Sequence, residues 1–277
     1  MSDLVSVIIP NYNYGRYLIK AIQSVLDQDY PSIEIIVVDD GSTDDSISIL
    51  RQFNNKIKII ETQNFGAPTA RNFGVLASTG THLAYLDADD YWLPNKISSQ
   101  MARMAESGDH LVYCLIKIIN EENEILSITD ERYEGDFVSR YINNPTSTPF
   151  PPSAVLMTKA LAARVGIWDT TLKSPAEDFD YFRRCAEYTR FSVVTKALAV
   201  HLEHPGSLTT MSLKKYFIDN RLALVKLFVD KYPKLSFYAR RKSWIKLHFR
   251  FSKSFLRSRQ IKMFFLCFLA FISPIQY

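Results

Sequence analysis

The apolar run Leu83–Leu86 ends in Asp87, Ala88, Asp89 and Asp90, which puts three carboxylates within four residues. A buried strand does not hold such a cluster, because unpaired buried charges are costly. Its natural place is the carboxyl end of a parallel strand, where open α/β sheets bind their ligands. Acids this close repel one another unless a cation compensates them. Oxygen ligands suit a hard divalent ion, Mg2+ or Mn2+, which commonly completes its shell with substrate phosphates. The cluster therefore predicts a metal-bridged diphosphate site.

Four further segments carry candidate chemistry. Asp39 and Asp40 end a second apolar run and lead into Gly41, Ser42, Thr43 and Asp44. An acid there can accept from a base or ribose donor, and the glycine lets the backbone turn close to a ligand. Ser42, Thr43 or Asp44 can equally cap the helix that follows. Asn64-Phe65-Gly66 opens a helix with Arg71 one turn inside. That arginine opposes the helix dipole and makes sense beside an anion. Glu177 and Asp178 start a segment of helical spacing, either as acids favouring the dipole or as a general base near a hydroxyl. His204 is a structural histidine or a further metal or diphosphate contact.

These residues need elements to position them. Residues 4–10 read as a buried strand and 11–15 as a turn. Residues 16–28, apolar at Leu18, Ile22, Val25 and Leu26, read as a helix. A strand at 33–38, a helix to about 53, a strand at 57–61, a helix over 67–79 and a strand at 82–86 follow. The third helix is expected to pack through Ala70, Phe73, Gly74 and Ala77. Four short strands alternating with helices predict a parallel, doubly wound sheet. A helix to about 107, a β-like run at 110–119 and a turn at 121–124 come next. Four prolines in 143–152 mark a break between two halves. An apolar stretch at 154–157, a helix, the loop Gly166–Asp169 and helical spacing at Phe179, Phe182 and Ala186 follow. From 213 onward the chain reads as nearly continuous helix.

The bulk composition is that of a folded protein, and 277 residues can bury a large core. Cys114, Cys185 and Cys267 have no metal-type spacing, which reads as reduced structural thiols. No charged segment followed by an apolar one opens the chain, so a cleaved secretory signal is not expected. The net charge of +4 hides an asymmetry. Residues 231–277 hold eleven Lys and Arg and no acid, leaving 22 basic and 29 acidic residues in 1–230, a net of −7. Trp244, Leu247, Phe251 and Phe255 recur at helical spacing, widened by Ile245, Phe249 and Leu256 and interleaved with cations. This predicts a basic amphipathic helix lying on an anionic membrane surface. The alternative is packing on the catalytic domain or on a second copy of the chain. No nucleic-acid-binding module accompanies the charge.

Taken in order over residues 4–210, these segments resemble the family-2 glycosyltransferases, the inverting GT-A enzymes. The resemblance rests on VSVIIPNYN (5–13), VVDDGSTD (37–44), Asn64-Phe65-Gly66 with Ala70-Arg71-Asn72, LDADD (86–90), GIWD (166–169) and Glu177-Asp178. Trp168 stands where members commonly carry Phe, which is expected to reshape the acceptor side. The resemblance implies an α/β, Rossmann-like, mostly parallel sheet flanked by helices, with a helical C-terminal extension. It implies a catalytic domain over 1–212, with 1–110 binding the nucleotide sugar and 111–212 the acceptor, and a membrane-association region over 213–277. On the donor side Pro10 and Tyr12 would frame the base, Asp39 would accept from its imide NH, and Arg71 would lie near the base or phosphates. Asp87 would approach the ribose with Ala88 beside it. Asp89, with His204 as a late contact, would hold Mn2+ or Mg2+ against the diphosphate. Asp178 would be the base, with Glu177 and Trp168 on the acceptor pocket.

The expected donor is a nucleotide sugar, UDP-linked first. The expected acceptor is a hydroxyl of a glycan or lipid-linked intermediate in cell-surface polysaccharide synthesis, at the inner face of the plasma membrane. Two other classes compete. A D-x-D after an apolar strand also resembles the haloacid-dehalogenase phosphatases, in which the first Asp is a nucleophile, but there the motif usually lies near the N-terminus. A silent nucleotide-binding scaffold is the other, and intact Asp89 and Asp178 speak against it.

Overall fold

The computed structural model describes residues 3–130, 132–138, 140, 150–172, 176–205, 218, 221, 237–257, 260, 263–265 and 267. Its first half is β1 (Val5–Asn11), α1 (Gly15–Leu26), β2 (Ile33–Asp39), α2 (Ser46–Arg51), β3 (Lys58–Glu61), α3 (Ala67–Ala77) and β4 (His82–Tyr85). The strands pair in parallel in the order β3-β2-β1-β4, as the alternation of apolar runs and helices predicts. Asn11 pairs with Asp39, and Asp39 with Glu61, so the carboxyl ends of three strands finish at one rim. Val5–Asn11 is buried throughout, which is why it reads as a continuous apolar run.

Helix α3 is buried at Pro68, Ala70, Arg71 and Gly74, with Ala77 packed against Ile36 and Val38, whereas Phe73 is exposed. Phe73 thus leaves the expected packing side and Arg71 joins it. A Cβ built on Gly74 would stand 2.3 Å from Ile8 Cγ2, so the helix comes down on β1 only because that side chain is missing.

The second half adds β5 (Tyr91–Trp92), α4 (Lys96–Ser107), β6 (Leu111–Ile119), β7 (Ile125–Ile128), β8 (Val155–Thr158), α5 (Lys159–Val165), α6 (Ala176–Ala186) and β9 (Phe191–Leu202). The complete order is β3-β2-β1-β4-β8-β6-β9-β5, with β7 beside β6. Strands β1 to β4, β6 and β9 run one way, and β8, β5 and β7 run the other. The sheet is therefore mostly parallel, a large hydrophobic core runs along it, and a small second cluster of Ile36, Val38 and Ala70 lies under α3.

Strand β9 has no counterpart in the sequence reading. Its register on β6 shifts twice near Leu115, and Thr195 and Lys196 face solvent there. The bulge breaks the period-two pattern that marks a strand. The expected break at 143–152 falls mostly outside the described residues, as does much of the tail after 213.

Helix α7 (Phe237–Arg257) is present in that tail. The aromatic stripe expected to lie on a membrane is covered: Trp244, Leu247, Phe251 and Phe255 are buried in the chain itself. Ser243, His248 and Ser252 are buried with them. The physical reason is ordinary, since an apolar stripe is stabilised as well by protein as by lipid. Among the described residues, no helix is long and apolar enough to cross a membrane.

Candidate active site

A cavity of about 690 Å³ opens at the rim where β1 and β4 end. Pro10, Tyr12 and Asp40 line one part of it, Asp87, Ala88, Asp89 and His204 another, and Arg71, Glu177 and Asp178 a third.

Loops with left-handed backbone shape the first part. Asn13 (φ 58°), Gly41 (φ 79°), Asn64 (φ 56°) and Gly66 (φ 95°) turn the chain sharply. Asp39 is buried below the rim and ties two strand tips together. Its carboxylate accepts from Asn11 Nδ2 at 2.7 Å, Ser42 Oγ at 2.7 Å and Ser42 N at 2.9 Å. Asp40 lines the cavity in its place, while its carboxylate accepts from Thr62 Oγ1 and from the Phe65 and Gly66 amides. Asp44 serves both neighbouring helix starts, accepting from Gly15 N at 3.0 Å and Ser46 N at 3.0 Å.

The three aspartates of the 87–90 cluster part company. Asp87 Oδ1 pairs with Arg71 Nη2 at 2.8 Å. Asp90 is buried, accepting from Ser153 Oγ at 2.6 Å and meeting His201 Nδ1 at 2.9 Å. Ser153 Oγ also accepts from Asp87 N at 3.1 Å, so one hydroxyl fastens both ends of the loop. Asp89 meets His204 Nε2 at 3.2 Å. Burial, then the charges of Asp90 and Asp87, push the Asp89 carboxyl up to about 8. Burial disfavours the His201 imidazolium, but Asp90, Asp89 and Asp87 together outweigh it and lift that group to about 9. Burial lowers the His204 value, and its ring packs against Tyr17 at 4.6 Å and edge-on to Tyr14 at 5.7 Å.

The donor types of Asp89 and His204 are ones that Mg2+ or Mn2+ accepts, and an ion there would need further ligands from elsewhere. The two are a carboxylate and an imidazole side by side, and the charges of Asp90 and Asp87 bear on that carboxylate. Among the described residues, no group of three or more acids, histidines or cysteines is arranged to hold a metal unaided.

The far wall turns on Arg71. Its Nη1 lies 3.4 Å from Glu177 Oε1 and 3.8 Å from Asp178 Oδ1, and its guanidinium sits 4.7 Å above the Trp168 ring. The anions beside Arg71 are thus carboxylates of its own chain. Trp168 is fully buried behind it and stacks on Tyr181 at 4.0 Å, so it does not line the cavity. Asn72 holds the Trp168 loop, donating to Trp168 O at 3.0 Å and accepting from Trp168 N at 2.8 Å. Burial, then the Glu177 charge, drive the Asp178 carboxyl well above the usual range against the pull of Arg71. Burial raises Glu177 as well. Both sit in the first turn of α6.

His201, Ser153, Tyr14 and Tyr17 are site residues the sequence reading does not contain, and of the Asp39–Asp40 pair it put the role on Asp39 where Asp40 lines the cavity. His201 and His204 arrive at the end of β9, and the pair three residues apart was the available signal.

The family model for Glycosyl transferase family 2 matches residues 6–164. An uncharacterized glycosyltransferase of Rickettsia prowazekii is 30% identical over 223 residues, 78% of this chain and 70% of that protein. TuaG of Bacillus subtilis, assigned to teichuronic acid biosynthesis, is 41% identical over 107 residues, 37% of this chain and 42% of that one. Among solved structures, S. aureus TarS 1–349 in complex with UDP-GlcNAc matches at TM-score 0.67 and 19% identity, over 94% of this chain and 89% of that one. Mannosyltransferase PcManGT from Pyrobaculum calidifontis, in complex with GDP-Man and Mn2+, matches at 0.66 and 19%, over 98% and 74%. Those two likenesses speak for the fold, which is GT-A. With the family model covering more than half of its length, this chain belongs to glycosyl transferase family 2.

Proposed function

We propose that this glycosyltransferase moves a sugar, with inversion, from a nucleotide diphosphate sugar to a hydroxyl of a surface glycan or its lipid-linked precursor. The observation that carries this reading is one cavity walled by Asp89 and His204 in one part and by Asp178 and Glu177 in another. Pro10, Tyr12 and Asp40 border the nucleotide side, with Asp39 acting from beneath through Asn11 and Ser42.

Asp89 and His204 would hold Mg2+ or Mn2+, which when bound neutralises charge developing on the leaving diphosphate. Asp87 and Ala88 line the donor part of the cavity. Asp178 is the base. Its raised affinity for a proton suits removal of one from an acceptor hydroxyl as that oxygen attacks the anomeric carbon. The bond to the diphosphate breaks on the opposite face, so one displacement inverts the centre. Arg71 sits between Asp87 and Asp178 and favours the ionised form of the base against the effect of burial. Trp168 acts on the acceptor side through Arg71 and Tyr181 rather than by touching the acceptor.

Uridine is the first donor base to try, and a guanosine sugar is the second, because solved structures of this fold hold each. TuaG's assignment to teichuronic acid biosynthesis supports a surface-glycan acceptor. The deciding experiment compares wild type with Asp178→Asn for UDP binding by calorimetry and for nucleotide release with lipid-linked acceptors. Binding should persist while turnover falls about 10²–10⁴-fold. Near-normal turnover removes Asp178 from the role.

A further inference from the structure

Burial of the aromatic stripe of α7 leaves the opposite side of that helix outside. Lys242, Lys246, Phe249, Lys253, Leu256 and Arg257 are all exposed. At 3.6 residues per turn these six fall within an arc of about 100°. The arc is a single stripe of four cations with two large apolar side chains set between them. Phe249 is 49% exposed and Leu256 52%, and Lys253 Nζ lies 4.3 Å from the Phe249 ring centre. No Asp or Glu occurs in the whole helix.

We infer that this outward stripe, and not the buried aromatic one, is a docking surface for an anionic lipid leaflet. Charge complementarity selects the partner's sign, since four cations with no acid on the helix face a field of one polarity. The two exposed apolar groups select its kind. A sugar or nucleic-acid polyanion offers no apolar phase to receive Phe249 and Leu256, whereas the boundary between headgroups and acyl chains does. The lysine stems lie along that boundary while their ammonium groups stay with the headgroups. The buried Trp244, Leu247, Phe251 and Phe255 meanwhile keep the helix fixed to the chain, so docking requires no unfolding. The inference is independent of the transfer reaction.

The test is sedimentation of the full chain with vesicles of equimolar phosphatidylcholine and phosphatidylglycerol, against pure phosphatidylcholine, at low and high salt. Binding should appear on the anionic vesicles, weaken with salt, and fall about fivefold for each cation neutralised, as in Lys246→Gln and Lys253→Gln. Phe249→Ser with Leu256→Ser should lower binding at least tenfold at equal charge. UDP affinity and the unfolding midpoint should not change in these variants, which separates a failed surface from a failed fold or site. Absence of binding to anionic vesicles overturns the inference. So does loss with the lysine variants but not with Phe249→Ser and Leu256→Ser, which would assign the stripe to a soluble polyanion. Quenching of Trp244 by brominated acyl chains, identified with Trp244→Phe, would return the role to the buried face and overturn it as well.

Discussion

At the residue scale the site is an exercise in separating like charges. Arg71 is shared by Asp87, Glu177 and Asp178, with its side chain 5% exposed. Removing it strands three carboxylates, so Arg71→Met should cost about 3–5 kcal/mol of stability at neutral pH in denaturant titrations. The pH dependence has a definite sign. Glu177 and Asp178 bind protons more tightly folded than unfolded, so stability from them is present at low pH and lost as pH rises through their raised values. Arg71→Met should sharpen that loss, recovering toward wild type in acid. Asp89→Asn should abolish the added thermal stabilisation that Mn2+ gives in the presence of UDP while leaving the apo unfolding midpoint unchanged or higher, because the substitution relieves crowding. The sequence showed which residue types were gathered near the site. It did not show their division of labour, because whether Asp90 faces a cation or His201 depends on a strand more than a hundred residues away.

At the element scale the first half of the fold was legible because β1, β2 and β4 are largely buried on both faces and each helix has one apolar side. β1 to β4 were expected within a residue or two of where they lie. β9 was illegible for the converse reason: its bulge exposes Thr195 and Lys196 in mid-strand. β5 is two residues long and has no pattern to read. The aromatic stripe of α7 was legible as amphipathic, but periodicity states only that a face is covered, not by what. The contact of α3 with β1 gives a clean test of packing. Gly74→Ala should destabilise by about 1–3 kcal/mol by overpacking against Ile8. Paired with Ile8→Ala, which removes the obstructing methyl, it should cost clearly less than the sum of the two single changes.

At the scale of the whole molecule, the sheet encloses a lysine. Lys96 is fully buried, donates to Gln100 Oε1 at 2.6 Å and lies 4.0 Å from the Trp92 ring centre. Burial brings its ammonium down to about 8. Between that value and the ordinary lysine range the unfolded chain holds a proton the folded one has shed, so the wild-type protein should gain stability as pH rises across that window. The gain is worth about 3 kcal/mol. Lys96→Met should lack this slope, and the difference between the two unfolding curves against pH isolates it from other titrating groups.

The fastening of Asp90 to His201 joins residues 111 positions apart, and Arg71 reaches Glu177 across 106. A ribosome must therefore release nearly all of β9 before the acidic loop can be locked in place. Segments of such wide separation close late, after local helices and neighbouring strands have formed. The nascent enzyme would thus carry a recognisable core for some time without the ability to grip its donor, and competence would arrive as one of the last events of its birth.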